Sequence, residues 1–325
     1  MHRSHTSAVA QMLSMCGVYL GSPENLVEGS PDNFQGYWED KRILSINDRI
    51  LGHFGGSWDQ PPKLTEGWLT EPAIRDLAAE ASCILEEYEE HCPWAWKDPR
   101  TCITGALWAS IVPDLRLVVC LRSPVECAAS LVNRRDSNVP FERGLSLWME
   151  YNTAVSDLMR SLPSVVIRAT ALFRSPATEL ARICGLLEIS PSQAQLDAAC
   201  SSIDPDLRRS VPLETERLEE ELPDSIKALY RVLLSASGSE GGGHGDDVDR
   251  RTPKDLAEAC QRIRQLERLL ADKNEFHMEM VVRHVQTMAH LEADRADLRR
   301  EIAAIVATRW HRLGVGINRV IRRIK

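Results

Sequence analysis

The chain opens on Met1-His2-Arg3-Ser4-His5-Thr6-Ser7, which runs directly into the helix-forming stretch Ala8-Val9-Ala10-Gln11-Met12-Leu13. Arg3 brings charge, and Ser4, Thr6 and Ser7 bring hydroxyls. A helix start presents unpaired backbone N–H groups and the positive end of the helix dipole, so a phosphate or sulfate fits there. The loop has no G-K-[ST], so the lysine and magnesium ligand of an ATP-hydrolysing loop are missing. A second constellation is Leu121-Arg122-Ser123-Pro124-Val125-Glu126-Cys127-Ala128-Ala129-Ser130-Leu131. Arg122 ends an apolar run, and Ser130 lies about two turns into the helix that Pro124 can start. Arginine and serine together suit a phosphate. The third is Trp96-Lys97-Asp98-Pro99-Arg100, a strand end crowded with charge.

The elements that must position these residues alternate. Thr6 to about Cys16 reads as a helix ending at Gly17. Lys41 to Phe54 reads as another, with Ile43, Leu44, Ile46, Ile50 and Leu51 near helical spacing. Pro72 to Glu90 is amphipathic, with proline in its first turn. Trp94-Ala95-Trp96-Lys97 is a short strand candidate. Leu115 to Leu121 is a nearly continuous apolar run, as a buried parallel strand should be, and Ser164 to Arg168 is another. Helical patterns follow over 125–134, 144–161 and 176–187. Strand–helix alternation of this kind predicts a doubly wound α/β sheet. Arg122 then stands at the carboxyl end of a strand, where open α/β sheets bind ligands.

Composition narrows the function classes. The 325 residues are 43% hydrophobic and 26% charged, enough for one sizeable domain plus an appendage. Residues 1–235 hold 22 Lys+Arg against 33 Asp+Glu, whereas residues 236–325 hold 17 against 14. The acidic balance of the first part argues against a nucleic-acid partner, which needs a basic footprint. An anionic ligand must therefore be held by a local cluster. No run approaches the roughly 18 apolar residues of a membrane span, and no signal peptide is visible. The nine cysteines are scattered without a C-x-x-C pair, so zinc and disulfide frameworks are poor readings. They read as mostly buried thiols of a cytoplasmic protein.

Five segments occur in order: Met1 to Ser7, Gly36-Tyr37-Trp38-Glu39, Trp96 to Arg100, Leu121-Arg122-Ser123-Pro124 with Ser130, and Leu147-Trp148-Met149-Glu150-Tyr151-Asn152. Over about residues 1–235 the chain thereby resembles the bacterial sulfotransferases that use 3′-phosphoadenosine 5′-phosphosulfate (PAPS). The resemblance implies a P-loop-like parallel sheet flanked by helices. It also implies in-line transfer of a sulfuryl group to a hydroxyl of a glycan, lipid or small metabolite, with no metal required. Arg3, Ser4, His5, Thr6 and Ser7 would hold the 5′-phosphosulfate, with Arg3 also stabilising charge in the transfer. Arg122 and Ser130 would hold the 3′-phosphate. Lys97, Asp98 and Arg100 would contact substrate. Glu39 is the candidate base, with His53 and Asp98 behind it. The plainer reading of Glu39 is a charged residue at a helix start, and of Lys97 and Arg100, partners for Asp98 and nearby acids.

Two departures from the family stand out. His5 occupies a position where glycine would allow unusual dihedrals and close approach to the anion. The hydrophobic strand that normally precedes this loop is not in the sequence, which predicts a late start or a missing first strand.

Residues 236–252 read as a flexible Gly/Ser/Asp linker. From residue 253 to 308, Leu256, Ile263, Leu270, His277, His284, Leu291, Leu298 and Ile305 fall seven apart, predicting a coiled-coil helix and a homodimer. Residues 309–325 carry six Lys+Arg and no acid beside an apolar face of Trp310, Leu313, Ile317, Val320, Ile321 and Ile324. That pattern suits an anionic membrane surface, and with it a peripheral place at the inner face of the membrane. The alternatives to a sulfotransferase are a catalytically impaired nucleotide-binding scaffold working through the coiled coil, and a nucleotide-dependent kinase.

Overall fold

A computed structural model describes residues 1–29, 36–134, 139–203 and 215–238, except for the side chains of 215–217. The linker from residue 239, the heptads and the basic tail lie outside the described residues.

Helix α1 (Thr6–Met15) buries Ala8, Val9, Met12 and Leu13. The chain turns at Gly17, whose φ of 86° is a left-handed value that only glycine adopts freely. Tyr19 then makes a parallel bridge to Trp94: its N–H donates to Pro93 O, and Ala95 N–H donates to its carbonyl, both at 2.9 Å. Helix α2 (Lys41–His53) starts at Asp40, whose carboxylate accepts from Arg42 N–H and satisfies one of the donors left open at a helix start. A short 3-10 turn at Trp68–Thr70 leads to α3 (Pro72–Glu89), with proline where its missing N–H costs nothing. Next comes α4 (Thr101–Ile111).

Strand β1 (Leu117–Leu121) leads through Arg122 and Ser123 into α5 (Pro124–Val132), where Ser123 is the N-cap. Helix α6 (Phe141–Leu158) packs against α5. The two approach so closely at Gly144 that a Cβ there would stand 2.8 Å from the Ala128 Cα. Strand β2 (Ser164–Arg168) lies parallel to β1, with Leu117 opposite Ser164 and Leu121 opposite Arg168. The described chain finishes with α7 (Ala169–Arg174), α8 (Pro176–Leu187), α9 (Gln193–Ser201), α10 (Thr215–Glu220) and α11 (Asp224–Ala236).

The fold is therefore α/β, with helices around a parallel sheet of two strands among the described residues. The strand expected at Trp94–Lys97 is reduced to the single bridge with Tyr19. Among the described residues, two apolar clusters gather several of these elements. One gathers α1, Cys120 of β1, Ile167 of β2, α8 and α9. The other gathers α2, α3, α4 and Leu115, with Trp94 and Trp96 packed against it. Of the eight described cysteines, Cys16, Cys120, Cys127 and Cys184 are buried, while Cys83 and Cys92 are exposed, so burial is less general than expected. Among the described residues no helix is long and apolar enough to cross a membrane.

Candidate functional site

The anion loop keeps its shape without glycine. Arg3 and His5 both sit in the left-handed region with φ of 61°, and His5 is the N-cap of α1. That conformation costs an ordinary residue roughly 1–2 kcal/mol. Packing offsets the cost: the His5 ring meets Phe173 edge-on at 4.8 Å. The first turn of α1 has no acidic residue and no side-chain cap. Its dipole therefore has no negative side chain of its own nearby.

The two constellations that the sequence separates by more than a hundred residues meet here. Arg3 Nε donates to Ser130 Oγ at 2.9 Å. Arg122 Nη1 donates to the Arg3 carbonyl at 2.9 Å. Ser4 Oγ and Cys127 Sγ lie 3.4 Å apart. Strand β1 makes this possible, because it ends at Leu121, Arg122 follows directly and α5 starts at Pro124, placing both beside the loop. Ser7 Oγ donates to Tyr37 O at 3.3 Å, which ties the start of α1 to the segment carrying Glu39.

Arg122 has a second partner. Its Nε donates to Glu126 Oε2 at 2.8 Å, one helical turn on, and the two side chains are only 4% and 5% exposed. The arginine expected to hold a phosphate is thus a neutralised, buried brace under the loop. Its backbone carbonyl accepts from Trp148 Nε1 at 2.9 Å, which anchors it to α6. Ser123 Oγ donates to Glu219 of α10, closing that side of the site.

Glu39 and Lys97 form the second half. Lys97 Nζ donates to Glu39 Oε1 at 2.5 Å, and both side chains are 11% exposed. Burial raises the Glu39 carboxyl above the usual range. Asp98 adds to the effect, and the Lys97 charge opposes it. Such a carboxylate is a better proton acceptor than a solvated one.

Asp98 and Arg100 are buried in polar contacts with neighbouring elements. Asp98 is the end of a buried network centred on Asn47, which is fully buried. Asn47 Nδ2 donates to Asp98 Oδ2 at 2.8 Å, while its oxygen accepts from Thr104 Oγ1 at 2.6 Å and Trp108 Nε1 at 2.8 Å. Arg100 pairs with Asp98 at 3.0 Å and Asp48 at 2.5 Å. The pairing of Arg100 with Asp98 follows the plainer reading of the sequence. Of the three charged residues expected to contact substrate, Lys97 alone is engaged with the candidate base. His53, the alternative base, pairs with Glu71 on the surface at 2.7 Å.

Three contributors escaped the sequence reading. Glu126 was legible as the residue four after Arg122 on one helix face. Asn47 was legible as a polar residue inside the Ile43, Ile46, Ile50 stripe of α2. His2 was not legible at all. It is buried against Trp58, with ring centroids 4.9 Å apart, and against Tyr151, at 5.4 Å. Burial, with the charges of Arg100, Arg134 and Lys97, drives its pKa well below the ordinary histidine value. Compared with models of known families, with characterised proteins and with solved structures, the chain matches none.

Proposed function

We propose that residues 1–235 form a sulfotransferase that moves a sulfuryl group from PAPS to a hydroxyl. The observation that carries this reading is the meeting of the Arg3–Ser7 loop with Ser130 and Arg122, beside the buried Glu39–Lys97 pair. PAPS supplies the sulfuryl group, and its S–O bond to the phosphate breaks as the acceptor oxygen bonds to sulfur. The start of α1 and Arg3 bind the phosphosulfate end through backbone N–H groups and a guanidinium. Ser130 stands next to Arg3 for the 3′-phosphate, and Arg122 acts as a brace that fixes the Arg3 backbone. Glu39 takes the acceptor proton. Lys97 holds Glu39 in place and contributes positive charge where negative charge builds on the transferred group. The basic tail at 309–325 and the heptads belong to the same proposal, as a membrane-surface contact and a dimer contact.

The test is isothermal titration of the full chain with 3′-phosphoadenosine 5′-phosphate and, separately, with ATP and magnesium. Binding of the first with a preference of at least tenfold is expected. Its absence would sink this reading, and equal binding of ATP would favour a kinase. One observation favours the impaired-scaffold alternative: Glu126 already neutralises Arg122. In that case the nucleotide binds without any transfer to hydroxyl acceptors.

A further inference from the structure

Tyr88, near the end of α3, is fully buried and touches both segments that carry the Glu39–Lys97 pair. On one side, its hydroxyl proton is shared between Asp40 Oδ2 at 3.0 Å and the Leu20 carbonyl at 3.2 Å. Asp40 directly follows Glu39, and its side chain is closed to water. On the other side, the Tyr88 ring meets Trp94 edge-on with centroids 5.8 Å apart. Trp94 in turn stacks on Trp96, the neighbour of Lys97. One side chain of α3 thus holds the approach to each member of the pair.

The hold on Asp40 matters because the turn before it is strained. Trp38, directly before Glu39, has a φ of 57°, a left-handed value that is costly for a bulky residue. Such a turn persists only where its surroundings fix it. The Asp40 carboxylate also accepts from Arg42 N–H at 2.8 Å, Nε at 3.1 Å and Nη2 at 2.7 Å, but Arg42 stands on the same helix, α2. Arg42 reaches α3 only through Glu87, in a pair whose side chains are 30% and 34% exposed. The buried tie from α3 to the Asp40 carboxylate is Tyr88. Burial first, and then the Asp40 charge, push the phenol pKa up, so Tyr88 stays a donor. A hydrogen bond to a carboxylate, shielded from water, is stronger than a neutral one. We propose that Tyr88 is a positioning residue, whose hydroxyl and ring together set Glu39 against Lys97. Its effect on the pair stands by itself, while its effect on sulfuryl transfer rests on the reading of Glu39 as the base.

The test is mass-spectrometric footprinting of the full chain, with acetic anhydride for amines and iodoacetamide for thiols. Lys97 is paired with Glu39 and 11% exposed, so it reacts slowly in the parent. In Tyr88→Phe, which keeps the ring, Lys97 should be acetylated about threefold to tenfold faster, the factor expected for one lost hydrogen bond. The buried Cys120 and Cys127 should be alkylated no faster than in the parent, showing that the change is local. An unchanged Lys97 rate would overturn the proposal. If Tyr88→Phe opens the cysteines as well, Asp40→Ser decides by the same criterion, since serine still caps α2 but is too short to reach Tyr88. For transfer, kcat of Tyr88→Phe should fall about tenfold with KM unchanged, as misplacement of a reacting group requires. A freed Lys97 beside an unchanged kcat would overturn the role in transfer. A freed Lys97 in a chain that binds no 3′-phosphoadenosine 5′-phosphate would support the positioning of the pair and remove the sulfotransferase reading.

Discussion

Arg3 Nε and Ser130 Oγ are joined by a 2.9 Å hydrogen bond across 127 positions of sequence. This contact makes the loop and α5 one site. Ser130→Ala removes an acceptor from a charged donor, and that interaction is worth about 1.5–3 kcal/mol. The variant should bind 3′-phosphoadenosine 5′-phosphate at least tenfold more weakly by calorimetry, and should lose more affinity for it than for the 3′-dephosphorylated nucleotide.

Arg122→Ala addresses stability before binding. It removes the ion-pair partner of the buried Glu126 and one donor to the Arg3 carbonyl. Removing one partner of a buried pair costs about 3–5 kcal/mol. Urea unfolding should show a loss of this size, and the double variant Arg122→Met/Glu126→Leu should recover much of it. A single variant as stable as the parent would contradict the bracing role.

Glu39→Gln keeps the shape of the side chain but removes the proposed base. Transfer to any acceptor should fall about 10²–10⁴-fold with little change in nucleotide affinity. Because burial raises the Glu39 carboxyl and the base must be ionised, the rate should climb with pH through a limb lying above the ordinary carboxylate value of about 4.3. A limb at or below that value would point to another base.

His2 should make the fold acid-sensitive. Its pKa is depressed in the native state, so below about 6.5 the unfolded chain binds a proton that the native chain refuses. Stability is therefore unaffected above that pH and falls as pH drops below it, by up to about 1.4 kcal/mol per pH unit from this group. Thermal or urea unfolding of His2→Gln between pH 7 and 5 should show a shallower decline than the parent.

Asn47→Ala tests the network behind the site. It removes the acceptor shared by Thr104 and Trp108 and the donor to Asp98, all buried. A loss of about 2–4 kcal/mol in urea unfolding is expected, since stranded buried groups cost about 1–3 kcal/mol each and some will relax. A change under 0.5 kcal/mol would show that the network is not needed to hold Asp98.

Local chemistry made much of the fold legible. The apolar runs ending at Leu121 and Arg168 are strands, and proline at the start of α3, α5 and α8 marks where those helices begin. Periodicity and capping are properties of neighbouring residues, so one sequence displays them. Trp94–Lys97 shows the limit, because a strand needs a partner along its length and this segment pairs only with Tyr19.

The residue types at the candidate site, Arg3, Ser130, Glu39 and Lys97, were determined by the sequence alone, together with the fact that Arg122 ends an apolar run. Tertiary structure decided their partners. It set Glu126 against Arg122, joined Asp98 to the buried Asn47 and Arg100 to Asp98 and the exposed Asp48, and let His5 take a glycine-like conformation against Phe173. The reason is that a charge acts according to its burial and its neighbours, and both are set by segments brought together only when the chain folds.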